Sequence, residues 1–202
     1  FINFGCESKR DAIGADNEII VICSDIDKDN VESFLTLIFN DSLHTPEPEP
    51  FYVLKFSSPE SYSKLKKQTN VVVAAIDRDS ANTGLKLIKS ILPAKQRKNM
   101  VLNDPIIVAK NVHANHQLFM AINANSYDHL LGFVDKKRNY IKRNFHEQFI
   151  DRQSRFLFSQ NNINPLRDSL LTEFGWSLEL PWGWDIVKKV PDSNFVWLGK
   201  EM

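Results

Sequence analysis

Two unbroken apolar runs constrain this chain most, Glu18-Ile-Ile-Val-Ile-Cys23 and Asn70-Val-Val-Val-Ala-Ala-Ile76. β-branched side chains are stiff in helices but pack well on a pleated surface, and a short continuous run bounded by turn residues leaves no polar face for water. Both are read as buried central strands, with Cys23 packed as a small apolar residue.

The segments around them alternate in type. Asp29 as N-cap and Glu32 three residues on form a capping-box pattern that predicts a helix over Val31–Phe39. His44-Thr-Pro46-Glu47-Pro48-Glu49-Pro50 lacks backbone donors at every second position, so an extended loop is expected there, feeding a strand over Phe51–Phe56. Ser58-Pro59-Glu60 opens a short helix, with Lys64, Lys66 and Lys67 at its negative end. Leu85–Leu92 reads as an amphipathic helix stopped by Pro93, followed by a basic loop with Lys95, Arg97 and Lys98. Pro105–Lys110 and Gln117–Asn123 are strand candidates.

From Asn125-Ser126 a helical pattern runs to about Gln160. Tyr127, Leu130, Leu131, Val134, Ile141, Phe145, Phe149 and Phe156 recur at three- and four-residue spacing as one stripe. Such a helix would be about 50 Å long at 1.5 Å per residue, so it projects or breaks, near Asn139 or Asn144. Pro165–Phe174 is a further helix, stopped by Gly175. All four tryptophans follow, Trp176, Trp182, Trp184 and Trp197, on three short extended runs: Trp176–Leu180, Asp185–Val190 and Asn194–Leu198.

The chain has 202 residues, with 25 basic and 25 acidic side chains, so no global field draws it to nucleic acid. Two cysteines, Cys6 and Cys23, exclude a disulfide framework and a cysteine-rich zinc site. No apolar run approaches the ~20 residues that span a bilayer. The opening Phe1-Ile-Asn-Phe-Gly5-Cys6, followed at once by charged residues, has the form of the end of a lipoprotein signal peptide. In that reading Gly5 stands at the cleavage site and Cys6 carries the lipid. Asn3 stands where leucine is usual.

Asp25, Asp27 and Asp29 alternate as in a calcium loop, but Asn30 stands where that loop needs glycine and Thr36 where it needs glutamate. His113 and His116, three apart, lack nearby acid or thiol partners and read as polar loop residues. Glu47 and Glu49, with Asp77 and Asp79 at a strand end, could supply a carboxylate pair for hydrolysis if the fold brought them together, although exposed carboxylates on loops are commonplace. Lys136, Lys137, Arg138, Lys142 and Arg143 form a basic helix stretch, read as a solvated face or as a candidate surface for anionic lipid or a partner protein. Trp182 and Trp184 bracket Gly183 on a turn and are candidate contacts for a sugar ring. Trp197 shares a face with Phe195, expected to be the buried one.

The order NEIIVICS, PEPEPF, TNVVVAAID, HANHQLFMAINA, FGWSLELPWGWDIVKK and NFVWLGKE resembles the domain-of-unknown-function 4837 family of bacterial envelope lipoproteins over essentially residues 6–202. Pro46–Phe51, His116–Ala124 and Gly175–Glu201 carry most of that resemblance. It implies a lipid anchor at Cys6, a location in the bacterial cell envelope on the periplasmic or outer-membrane side, and a chain truncated at both ends. It brings no activity, cofactor or catalytic residue.

These readings give an α+β fold. A mixed, largely antiparallel sheet carries helices packed on one face, including one long charged helix near residues 126–160. Residues 1–6 end a signal peptide, 7–17 form a tether, and 18–202 form a single domain. The expected function is a non-enzymatic binding or assembly module, anchored to a membrane and meeting an envelope protein or glycan, with no cofactor, no metal and no nucleic acid. The alternative is a carbohydrate-binding or carbohydrate-active protein using the Trp182–Trp184 turn.

Overall fold

The computed structural model describes residues 9–43, 46–158, 165–181 and 183–200. Cys6 and Trp182 lie outside the described residues. The chain divides into two compact units, Phe1–Ile150 and Asp151–Met202, where the sequence reading has one domain over 18–202.

The first unit is built on a five-stranded sheet. Its strands are β1 (Glu18–Ile22), β4 (Val53–Ser57), β5 (Asn70–Ala75), β6 (Ile106–Lys110) and β7 (Leu118–Asn123), in the order β4-β1-β5-β7-β6. A small hairpin of β2 (Ser42–Leu43) and β3 (Glu49–Pro50) precedes β4. The helices are α1 (Asp25–Ile38), α2 (Tyr62–Leu65), α3 (Thr83–Ile91), α4 (Ala94–Leu102), α5 (Tyr127–Leu131) and α6 (Val134–Phe158), the last contributing its residues up to Ile150. The fold is α+β with a mixed sheet, as expected, but two details differ. β1 is parallel to β4 and β5, and β5 to β7; only the edge pair β6–β7 is antiparallel in this sheet.

Helices also cover both faces rather than one. On one face Ile19, Val21, Val72 and Ala74 pack against Val31, Phe34, Leu35 and Ile38 of α1 and against Leu130, Ile141 and Phe145 of α5 and α6. On the other, Ile20, Ile22, Val71 and Val73 pack against Leu85 and Ile88 of α3 and Met100 of α4. The two differences share one cause. Parallel neighbours need a crossover, the crossovers place helices on the faces, and a strand covered on both sides is apolar at every position. The α1 contacts fall at i, i+3, i+4 and i+7, the spacing of one helix face.

Helix α1 starts at Asp25, behind Ser24, and not at Val31; the capping-box pattern at Asp29 lies inside the helix. The long helix breaks at Gly132-Phe133, between α5 and α6, rather than at Asn139 or Asn144. The basic segment after Pro93 is helical as α4, with Pro93 as its N-cap. Of the segment read as a tether, residues from Arg10 onward are tied down. Ala12 N–H donates to Asn115 O, Ile13 N–H to Lys67 O and Thr69 N–H to Ile13 O. Gly14 sits at φ 102°, a backbone conformation that residues with a Cβ rarely adopt.

The second unit holds α7 (Pro165–Phe174) and an antiparallel ribbon of β8 (Trp184–Val190) and β9 (Phe195–Lys200). Gly175 ends α7 at φ 73°, the left-handed position glycine adopts without strain. Lys189 reaches from the ribbon to Ser169 Oγ and Glu173 Oε1 of α7 at 2.7 and 2.6 Å, which holds the Glu173 carboxyl below its ordinary pKa. Trp176–Leu180 forms no strand. Phe195 and Trp197 do share a face, but it is the exposed one: Trp197 is 55% exposed. Phe156, at the end of the expected apolar stripe, is 79% exposed.

Candidate functional site

In open sheets with parallel strands, ligands bind outside the carboxyl ends, where neighbouring connections leave in opposite directions. Here β1 connects to β4 on one side and β5 to β6 on the other, so that point lies between the ends of β1 and β5. Asp77, Arg78 and Asp79 follow β5, Asn125, Ser126 and Tyr127 follow β7, and α1 contributes Asn30. With Ile76 as an apolar floor these residues line an open cleft of about 550 Å³.

The cleft rests on a buried polar knot. Asp27, fully buried in the first turn of α1, accepts from Asp77 N–H at 2.7 Å, Asn82 Nδ2 at 2.8 Å and Ser24 Oγ at 3.3 Å. Asn82 caps α3 through Leu85 N–H at 3.0 Å and donates to Asp77 O at 2.9 Å. Gly84 is required beside it, because a Cβ there would lie 2.9 Å from Ala74 O. These bonds tie the ends of β1 and β5 to the starts of α1 and α3. The β5–α3 loop then folds on itself, with Asp79 N–H donating to Asp77 Oδ1 and Ala81 N–H to Asp79 Oδ1, both at 2.7 Å. Arg78 crosses to the end of β7, where Nη1 donates to Asn123 Oδ1 at 2.7 Å and Ala124 O at 3.0 Å. Partial burial draws the Arg78 pKa below the ordinary arginine value, opposed by the charge of Asp27.

The structure separates the two carboxylate sets named from the sequence. Asp77 and Asp79 line the cleft, whereas Glu47 and Glu49 precede β4, whose first residue pairs with the first of β1, and so belong to the opposite end of the sheet. Neither Arg78 nor Asn125 stood out in the sequence. The signal was the pair of strand ends, IDRD and INANS, which only strand order makes neighbours. Cys23, just after β1, is a buried thiol whose pKa is pushed up to about 12 by burial and by Asp27 and Asp25, so it stays protonated near neutrality.

The basic stretch of α6 is largely engaged within its own unit. Lys137 pairs with Asp104, Lys142 with Asp41 at 2.6 Å, and Arg138 donates to Asn40 Oδ1 at 2.6 Å. Arg143 lies 3.9 Å from Glu147, and Lys136 sits over the Phe133 ring. In the second unit Trp184 is 41% exposed.

His113 and His116 serve the β6–β7 connection. Tyr62 Oη and His113 Nε2 are 2.7 Å apart, Gln117 Oε1 accepts from His113 N–H, and His116 stands 3.9 Å from Asp11. Burial, then Lys66, Lys9 and Lys67, lowers the His113 pKa from an ordinary value of 6.5. The unfolded chain therefore binds this proton more readily, so stability is complete above about pH 6.5 and falls as pH drops toward the lowered value. Urea midpoints at pH 7.5 and 5.5 should differ more for the wild type than for His113→Gln; equal differences would remove His113 from the pH response.

A family model described as a domain of unknown function (DUF8532) matches residues 12–158, which take in the whole cleft. No curated protein and no solved structure matches the chain.

Proposed function

The chain belongs to the DUF8532 family, a domain of unknown function, and on that premise we propose that it is a non-enzymatic binding or assembly module held at a bacterial envelope through Cys6. The observation that carries the binding part is the cleft beyond β5 and β7. Its carboxylates accept backbone N–H groups within a self-bonded loop, and the nearby Cys23 thiol is buried and protonated. A recess lined by polar groups already fixed by their own hydrogen bonds is suited to recognition.

The envelope part rests on the run Phe1–Cys6 and on the likeness to the domain-of-unknown-function 4837 family, and both belong to this proposal. Among the described residues no helix is long and apolar enough to cross a membrane, which is compatible with attachment through a lipid. The exposed indole of Trp184 supports a second reading, a glycan-stacking contact on the β8–β9 ribbon.

Metabolic labelling with an acyl analogue tests the anchor: the wild type takes up label and Cys6→Ser does not, and equal labelling of both would sink it. Calorimetric titration with peptidoglycan fragments, with and without their peptides, tests the rest. Heat lost in Arg78→Ala assigns binding to the cleft, and heat lost in Trp184→Ala assigns it to the ribbon. Fragment turnover seen by mass spectrometry would overturn the non-enzymatic reading.

A further inference from the structure

The cleft holds opposite charges that do not neutralise one another. Among the described residues Arg78 Nε and Nη2 have no hydrogen-bond or ion-pair partner, and neither do the Oδ2 atoms of Asp77 and Asp79. Each charged group is nonetheless held in place by its other atoms: Arg78 by Asn123 and Ala124, Asp77 by Asp79 N–H, and Asp79 by Ala81 N–H. The ordering entropy of these side chains is thus largely spent before a ligand arrives.

The charge pattern selects the ligand. A simple anion would gain Arg78 but face two carboxylates, and a simple cation would gain the carboxylates but face Arg78. A molecule with both charges on adjacent atoms satisfies all three groups at once. Asn30, Asn125 and Ser126 add neutral polar contacts, Ile76 and Tyr127 give a surface for a short side chain, and about 550 Å³ suits a small molecule.

We propose that this cleft binds a small zwitterion, an α-amino carboxylate, with its carboxylate on Arg78 and its ammonium on Asp77 and Asp79. The molecule is a free amino acid or the charged branch of a diamino-acid residue in a peptide, and the inference rests on the binding-module reading above.

The test is a titration of the ¹⁵N-labelled full chain with alanine, lysine and 2,6-diaminopimelate, alongside their N-acetyl and carboxamide derivatives. At least one zwitterion should shift the amide signals of residues 77–79 and 125–127 saturably. Blocking either charge should weaken that binding about tenfold or more, the usual weight of a charge-assisted hydrogen bond. Asp79→Asn should weaken it comparably with an unchanged urea midpoint, because its Oδ1 still accepts Ala81 N–H. A muropeptide carrying the diamino acid separates the sources: tighter binding than the free compound assigns the peptide branch, and weaker binding the free amino acid. Blocked derivatives that bind equally well, shifts confined to other residues, or no shift at tens of millimolar would overturn the proposal. Muropeptides that bind elsewhere on the chain, with no zwitterion shifting residues 77–79 and 125–127, would overturn it while leaving the binding-module reading intact.

Discussion

Replacing Asp27 with alanine is expected to destabilise the chain by about 3 kcal/mol, because a buried donor left unmatched costs roughly 1–3 kcal/mol and Asp27 serves three. Asp77 N–H loses its acceptor outright, while the Asn82 amide keeps Asp77 O and Ser24 Oγ keeps Asn82 Oδ1. Asp27→Asn should cost less, since one oxygen still faces Asp77 N–H, although its new amine confronts the Asn82 amine. Equilibrium urea unfolding measures both. A double-mutant cycle with Asn82→Ala should be clearly non-additive, as for any pair in one hydrogen-bond network. An Asp27→Ala loss below about 0.5 kcal/mol, the range of ordinary surface changes, would mean that the knot does not tie β1 and β5 to their helices.

Phe145→Ala is expected to cost about 3–5 kcal/mol, the usual range for emptying a buried aromatic site. Phe145 is fully buried on α6, and its ring meets Phe39 edge-on at 4.9 Å and Tyr52 at 6.1 Å. Phe51 extends the cluster to Tyr52 at 4.8 Å and Phe149 at 5.0 Å. Burial also pushes the Tyr52 hydroxyl pKa upward, so the ring stays neutral in the core. Phe156→Ala, eleven positions along the same helix, is the control and should cost under about 1 kcal/mol because its side chain is largely in solvent. Comparable losses for the two would mean that α6 is not anchored by its first half.

Much of the fold was legible in the residues. Ile19–Ile22 and Val71–Ala75 are buried strands, Leu85–Ile91 and Pro165–Phe174 are helical, and Ser126 caps the helix that follows it. The failures have particular causes. The pattern Asp29–Glu32 satisfies a capping box, but backbone donors one turn into a helix already have partners, so the motif marks nothing there. Pro93 ends one helix and begins another, since a missing N–H costs little at either edge. Phe195 and Trp197 alternate correctly, yet alternation says which residues share a face and not whether anything covers it.

The candidate site was less legible for the same reason. Asp77 and Asp79 could be named as carboxylates at a strand end, but Asp27 was one of three alternating aspartates without the rest of a calcium loop, and Arg78 carried no pattern of its own. Their roles come from bonds across large separations in the chain: Asp27 to Asp77 spans 50 positions and Arg78 to Asn123 spans 45.

By itself the sequence determined the local repertoire: two strands apolar on both faces, helices with one buried stripe, and too few cysteines for a disulfide framework. Periodicity and capping are properties of neighbouring residues, so they can be read along the chain. Tertiary structure alone decided the order β4-β1-β5-β7-β6 and the parallel direction of three of its four pairings. Those follow from how crossovers pack on the two faces. They bring the ends of β1, β5 and β7 to one edge, where Asp27 is buried beneath a cleft lined by Asp77, Arg78 and Asn125.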